Sequence, residues 1–98
     1  MNRDDFAFTV GYQGDTAVVD KSAKAKHKPA KADKLMEAGL FRAAFCAALY
    51  DQDELTMEEI RKVYSEKTGA DLPNLNAVKR LFGAFEVPDA ITKVMYIK

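Results

Sequence analysis

The sequence of 98 residues holds 15 acidic and 15 basic residues, so its formal net charge at pH 7 is zero. This length corresponds to one domain, and a hydrophobic content of 48% excludes a chain that is disordered throughout. Zero net charge excludes a whole-molecule field that steers the protein to nucleic acid or to a membrane. The single cysteine, Cys46, excludes an intramolecular disulfide. Because the opening MNRDDFAF lacks a signal-peptide pattern and no apolar run is long enough to span a bilayer, we expect a cytoplasmic protein.

Residues 1–20 are predicted to form a β-hairpin. Large apolar residues alternate with small or polar ones in its first half, which is the period of a half-buried strand. These residues are Phe6, Phe8, Val10 and Tyr12. A two-residue turn at Gln13-Gly14 would place Phe8 opposite Val19, so that the apolar side chains of both strands share one face.

Residues 21–34, KSAKAKHKPAKADK, hold six lysines against one acid, Asp33, and no large apolar residue. Like charges repel and nothing in the segment can anchor it to a core, so we predict a solvated, mobile connection. Its last residues are expected to join the following helix. His27 lies in this segment without a sequence-local partner, which favours a solvated histidine over a general base.

A helical core is predicted over residues 35–86, organised around the apolar stretch LMEAGLFRAAFCAALY at its start. Phe41, Phe45 and Leu49 recur every four residues, which predicts a helix buried over most of its circumference. Cys46 lies in the middle of this helix and is expected to be buried and unreactive.

Gly39 leaves two interpretations of the start of that core. A continuous helix from about Pro29 would run through Gly39, at a cost of about 1 kcal/mol relative to alanine. Alternatively, Gly39 ends a short helix in a left-handed conformation, and Leu40 folds back on Leu35 as in a Schellman cap. We favour the break, with the second helix beginning at Leu40.

The second part of the core contains two more predicted helices. Thr56 is expected to cap a helix over residues 57–68, with Glu59 completing a capping box and a hydrophobic staple joining Leu55 to Ile60. Asn74 is expected to cap the next helix, over residues 75–85, which Pro88 and Asp89 end. Its predicted buried face consists of Leu75, Val78, Leu81, Phe82 and Phe85.

The last residues, ITKVMYIK at 91–98, alternate and are rich in β-formers, which predicts a third strand. A hairpin alone is marginal in water, so this strand is expected to join it. The predicted fold is therefore a single α+β domain, in which the N-terminal β-hairpin and the C-terminal strand form a small antiparallel sheet packed against three or four α-helices.

The sequence gives no pattern typical of an enzyme or of a cofactor site. Five acids within residues 51–59 begin like a calcium loop, but Thr56 and Lys62 occupy the positions where that loop requires glycine and glutamate. The five glycines are scattered, which excludes a glycine-rich phosphate loop. We therefore expect a protein without catalytic residues, metal or cofactor.

Two basic groups are candidates for nucleic-acid contact. They are Lys24, Lys26 and Lys28 in the lysine-rich segment, and Asn76, Lys79 and Arg80 on the outer face of the helix over residues 75–85. The succession of helix 57–68, loop and helix 75–85 resembles a helix-turn-helix or winged-helix unit, whose second helix enters the major groove. That resemblance implies weak nucleic-acid binding.

A non-catalytic module that binds a protein partner or regulates it is the leading functional prediction, and nucleic-acid binding is the alternative. Neither a membrane nor a small-molecule ligand is expected. An exposed apolar patch would favour the protein partner, whereas a contiguous basic surface would favour nucleic acid.

Overall fold

The computed structural model describes residues 2–29 and 31–97, so residues 1, 30 and 98 of the predicted segments lie outside it. In the described part of the chain, six helices and three strands form one domain, which confirms the predicted α+β class. In chain order they are α1 (Arg3–Ala7), β1 (Thr9–Gln13), β2 (Thr16–Asp20), α2 (Lys21–His27), α3 (Ala32–Glu37), α4 (Phe41–Tyr50), α5 (Glu54–Thr68), α6 (Leu75–Phe82) and β3 (Lys93–Ile97).

The chain begins with helix α1, so the prediction that the first strand starts at Phe6 is wrong. The Asn2 side chain accepts a hydrogen bond of 2.8 Å from the backbone N–H of Asp5 and caps the helix. Phe6 and Phe8 are buried, as their apolar character requires, but they lie in and just after α1. An alternation of apolar residues over so few positions does not distinguish a strand from a short capped helix.

The hairpin turns one residue later than predicted, at Gly14 and the residue after it. Gly14 has a φ of 60°, and glycine at the first position of a two-residue turn supplies the positive φ that a type II′ turn needs there. A bulge at Val10 then places Thr9 opposite Val19, where Phe8 was expected. Val10 is left 59% exposed.

The three strands lie in the order β1-β2-β3. The predicted antiparallel pairing holds for the hairpin, whereas β3 runs parallel to β2 and corrects the prediction of a wholly antiparallel sheet. Parallel neighbours need a long crossover to return the chain to the same end of the sheet. Helices α2 to α6 form that crossover.

Most of the predicted lysine-rich connection is instead helical. Asp20 caps α2 by accepting a hydrogen bond of 3.1 Å from the backbone N–H of Ala23. Lysine and alanine have high helix propensity, and the Lys24 ammonium lies 2.7 Å from a carboxylate oxygen of Asp5 in α1. The end of the segment joins α3, which begins at Ala32, as predicted.

The predicted break at Gly39 is confirmed. Gly39 has a φ of 79°, its N–H donates to the Met36 carbonyl at 3.0 Å, and the Leu40 N–H donates to the Leu35 carbonyl at 2.9 Å. These two bonds define the Schellman motif, which ends α3 and allows α4 to begin directly afterwards.

Helix α4 forms the centre of the molecule, as predicted. Six consecutive residues, Ala43 to Ala48, are buried, and the helix packs against α1, α3 and α5. Small alanine side chains let these neighbours approach closely. The Cα radius of gyration is 12.9 Å, close to the value of about 13 Å expected for a folded domain of this length.

Helix α5 begins one turn earlier than predicted, so the assignment of Thr56 as its cap is wrong. The side chain of Asp53 accepts hydrogen bonds from the Thr56 N–H at 3.2 Å and from the Thr56 hydroxyl at 2.6 Å. Leu55 is 86% exposed, so the predicted hydrophobic staple does not form. Met57 and Ile60 are the buried residues of α5.

Helix α6 is capped by Asn74 as predicted, with a bond of 3.0 Å from the N–H of Ala77. It ends at Gly83, whose φ of 66° is left-handed, rather than near Pro88. Only part of its predicted buried face is therefore buried. Val78 is fully buried, Leu75 and Phe82 are half-buried, and Leu81 and Phe85 are exposed.

The two caps give a prediction about pH. Hydrogen bonds from Thr56 lower the pKa of Asp53. Its cap therefore stabilises α5 above the ordinary aspartate pKa of about 3.9, and the stabilisation is lost as pH falls through the lower folded-state pKa. Asp53→Ala should lower the midpoint of urea denaturation clearly at about pH 7 and less at about pH 3.

Asn74→Ala is the matched control, because its cap carries no titratable group. It should cost about 1 kcal/mol at both pH values. An Asp53→Ala effect that does not change between the two pH values would contradict the charged-cap assignment.

Candidate functional site

The Arg42 side chain links three elements that are distant in the sequence. Its Nε donates to the Phe82 carbonyl at 2.9 Å, and its Nη1 donates to the Thr9 carbonyl at 2.7 Å. Phe82 is the last residue of α6, so its carbonyl lies at the negative end of that helix and has no partner within it. Thr9 is the first residue of β1. One guanidinium on α4 therefore fixes the positions of both β1 and the end of α6.

A cavity of about 440 Å³ opens on one side of Arg42, and its size is within the range of ligand pockets. Its wall is largely aromatic. Phe41 and Phe82 both pack edge-to-face on Tyr64, with ring centroids 5.3 and 5.4 Å away. Val10 of β1 contributes an exposed apolar side chain to the rim, and Arg42 and His27 contribute polar groups.

A second cavity, of about 230 Å³, also includes Arg42. Tyr12 of β1 and Phe85 line it, and they are 43% and 57% exposed, respectively. We call the surface formed by Val10, Tyr12, Arg42, Phe82 and Phe85 the Arg42 cleft. It is an apolar surface with a cation at its centre, and β1 supplies one side chain to each cavity.

Burial controls the ionisation of two groups beside the cleft. It raises the pKa of the Cys46 thiol, and the nearby Arg42 charge opposes this effect only in part. Burial also raises the pKa of the Tyr12 hydroxyl. Both groups are therefore neutral at pH 7. A neutral, buried thiol is not a nucleophile, and the prediction that Cys46 is buried is confirmed.

His27 is half-buried rather than freely solvated, which corrects the prediction. Its ring is stacked on Phe8, with centroids 6.1 Å apart and planes inclined by 24°. The difference arises because the segment is helical, so His27 is held on the face of α2 that lines the larger cavity.

The residues predicted to contact nucleic acid occupy different surroundings. Lys24 is paired with Asp5, and Lys79 is half-buried in a cavity that Glu54 also lines. Lys28 lines a cavity with Tyr96 of β3. The remaining candidates, Lys26, Asn76 and Arg80, are exposed. Lys24 and Lys28 thus line a different cavity from Lys79.

Among residues 2–29 and 31–97, no group of three or more histidine, cysteine, aspartate or glutamate side chains is placed to hold a metal ion. No helix in that part of the chain is long and apolar enough to cross a membrane. Comparison of the chain with protein-family models, curated proteins and solved structures finds no match. The functional argument therefore depends on the geometry of the chain itself.

Arg42 was not selected from the sequence as a functional residue, although a signal was present. It is the only charged residue between Leu40 and Tyr50, and it lies in the first turn of α4. A cation there is unfavourable, because the N-terminus of a helix carries partial positive charge. Such a residue is expected to have a compensating acceptor elsewhere in the fold.

Removing the Arg42 side chain should destabilise the protein markedly. Arg42→Met takes the charged donor from two carbonyl groups, and we expect a loss of about 2–4 kcal/mol in the free energy of unfolding. Arg42→Lys should recover only part of this, since one ammonium cannot reproduce the planar fork. Arg80→Met, at an exposed arginine of α6, is the control and should change stability by less than about 0.5 kcal/mol. Equal losses at the two positions would refute the bridging role.

Cys46 should react slowly with a thiol reagent in the native protein. Reaction requires the core around α4 to open, so the native rate should be on the order of a hundredfold below the rate in denaturant, equivalent to about 3 kcal/mol of opening free energy. Monitoring the reaction of the single thiol spectroscopically tests this directly. Similar rates in both states would show that the thiol is accessible.

Proposed function

We propose that the protein is a non-catalytic binding module, and that the Arg42 cleft takes an extended apolar segment of a partner protein. One observation carries this proposal. Strand β1 presents exposed apolar side chains, Val10 and Tyr12, to two separate cavities that both include Arg42. Exposed apolar surface of this kind marks an interaction site in many proteins.

The spacing of the two cavities favours an extended partner. Val10, at the bulge of β1, and Tyr12, two residues on, line different cavities. In an extended segment, side chains two residues apart point to the same face and are roughly 7 Å apart. Such a segment can place one apolar side chain in each cavity.

Arg42 gives the cleft a polar centre between these apolar pockets. Two of its guanidinium nitrogens already donate to the carbonyls of Thr9 and Phe82, and the third, Nη2, carries two further N–H donors. That nitrogen is suited to a carbonyl oxygen of the bound segment. A backbone acceptor between two apolar side chains fits an extended peptide.

The proposal assigns no catalytic step to the chain. The Cys46 thiol is buried with a raised pKa, and His27 is stacked on Phe8. We also propose a cytoplasmic location, which a single unpaired cysteine suits because the cytoplasm keeps thiols reduced.

Selection from a displayed peptide library tests the proposal with the whole chain as bait. Enriched peptides should carry two apolar residues separated by one. Val10→Ser and Phe85→Ser, each at the rim of a different cavity, should weaken the binding of a selected peptide by about tenfold or more, which corresponds to about 1.4 kcal/mol.

Leu55→Ser is the matched control, because Leu55 is exposed on α5 and lies outside the cleft. It should change the peptide affinity by less than about twofold, which corresponds to less than about 0.5 kcal/mol. Equal weakening by all three substitutions, or the absence of any enriched pattern, would argue against the Arg42 cleft as a peptide site.

A further inference from the structure

One face of α2 and the strand β3 form a second polar site, apart from the Arg42 cleft. Lys21 and Lys24 are three residues apart on one face of α2, and Lys28, four residues further on, is its C-cap residue. Together with Ala25 and Tyr96 they line a cavity of about 320 Å³. We call it the lysine cavity.

Lys24 is fixed by groups from two other elements. Its ammonium lies 2.7 Å from Oδ1 of the buried Asp5 and donates to the Tyr96 hydroxyl at 3.1 Å. That hydroxyl in turn donates to Asp5 at 3.0 Å. These hydrogen bonds raise the pKa of Lys24, so it stays charged at pH 7. The network forms a rigid wall of the cavity and neutralises one of its three positive charges.

Lys21 and Lys28 have no such partner. Within the described residues neither forms an ion pair, so the lysine cavity carries a net charge of two after Asp5 is counted. Like charges on one helix face are destabilising. A bound anion with two negative charges would remove that repulsion.

Tyr96 adds an aromatic surface to this charge. Its ring is 45% exposed, and Lys24 lies 4.7 Å from the ring centroid. A positively charged groove beside an exposed aromatic ring is the arrangement with which proteins bind single-stranded nucleic acid, where phosphates meet lysines and bases stack on rings. A duplex, by contrast, keeps its base faces stacked and offers none to Tyr96.

We propose that the lysine cavity binds the phosphate group of a nucleotide, either free or within a single strand of nucleic acid, with Lys21 and Lys28 contacting the phosphate and Tyr96 contacting the base. This assigns the contact to α2 and β3 rather than to α6. Lys79 of α6 lies in a cavity that Glu54 also lines, so its charge is partly offset there.

Anisotropy titrations of a labelled oligothymidylate of about 12 nucleotides at about 50 mM salt test the site, and we expect a Kd of about 10⁻⁴ to 10⁻⁵ M. Lys21→Gln with Lys28→Gln should weaken binding at least about tenfold and reduce the salt slope by about 0.7, from one lost phosphate contact on a single strand. Lys79→Gln with Arg80→Gln is the matched control, with the same loss of charge, and should change affinity by less than about twofold.

The role of the Tyr96 ring is tested separately. Tyr96→Phe keeps the ring, so unlabelled oligothymidylate should still compete for the site better than inorganic phosphate does. Tyr96→Leu removes the ring, so this difference between the two competitors should disappear. Circular dichroism must show that each variant is folded. If thymidine monophosphate competes as strongly as the oligonucleotide, the result would support the proposed site and identify a free nucleotide as its ligand.

Three results would overturn the proposal. One is equal weakening by the two double substitutions, which would mean diffuse electrostatic attraction without a site. Another is the absence of detectable binding of any of the phosphate probes at about 100 µM protein, a concentration at the weak end of the non-specific range. The third is competition by phosphatidylserine-containing vesicles as strong as that of the oligonucleotide, which would point to lipid headgroups.

Discussion

The guanidinium of Arg42 is the interaction on which the arrangement of this molecule depends. It joins β1, α4 and the end of α6, three elements that share no local sequence. The position of the arginine in the first turn of α4 is unfavourable for α4 itself, and the C-terminal carbonyl of α6 supplies the compensating negative charge. Arg42 also lines both cavities of the Arg42 cleft, so the residue that joins these three elements borders the cleft as well.

A second polar cluster performs the same task at the other end of the sheet. Asp5, Lys24 and Tyr96 tie α1, α2 and β3 together. Short helices need such contacts between elements, and α1, α2 and α3 have only five, seven and six residues. Helices this short are unstable alone in water and depend on tertiary contacts. Apolar contacts contribute as well, since Phe6 of α1 and Leu35 of α3 are buried in the same core as α4.

Local signals in the sequence predicted the parts of the fold that local chemistry decides. Gly39 and Asn74 end and begin helices as expected, because each needs only its neighbours to do so. The start of α5, by contrast, was predicted wrongly. Asp53 and Thr56 both stand three residues before a suitable partner, and the earlier cap forms, with the Asp53 side chain accepting from both the N–H and the hydroxyl of Thr56. A cap motif in the sequence does not show which of two overlapping caps forms.

The candidate sites could not be predicted because their residues meet only in the folded chain. Arg42 lies 33 and 40 positions from its two acceptors, and Tyr96 lies 91 positions from Asp5. The parallel return of β3, which brings Tyr96 to α2, follows from the path of five helices rather than from any property of residues 91–97. The local traces were the misplaced charge of Arg42 and the lysine-rich segment, from which Lys24 and Lys28 were selected and now line the lysine cavity.

The sheet order keeps the two sites physically apart. The Arg42 cleft lies at β1 and the lysine cavity at β3, with β2 between them, a separation of about 10 Å between the outer strands. Helix α2 borders both, but with different faces, since Ala23 and His27 line the larger cavity beside Arg42 while Lys21 and Lys28 line the other. Lys21 and Lys28 line no part of the Arg42 cleft, so substitutions at these two lysines are expected to leave that cleft intact.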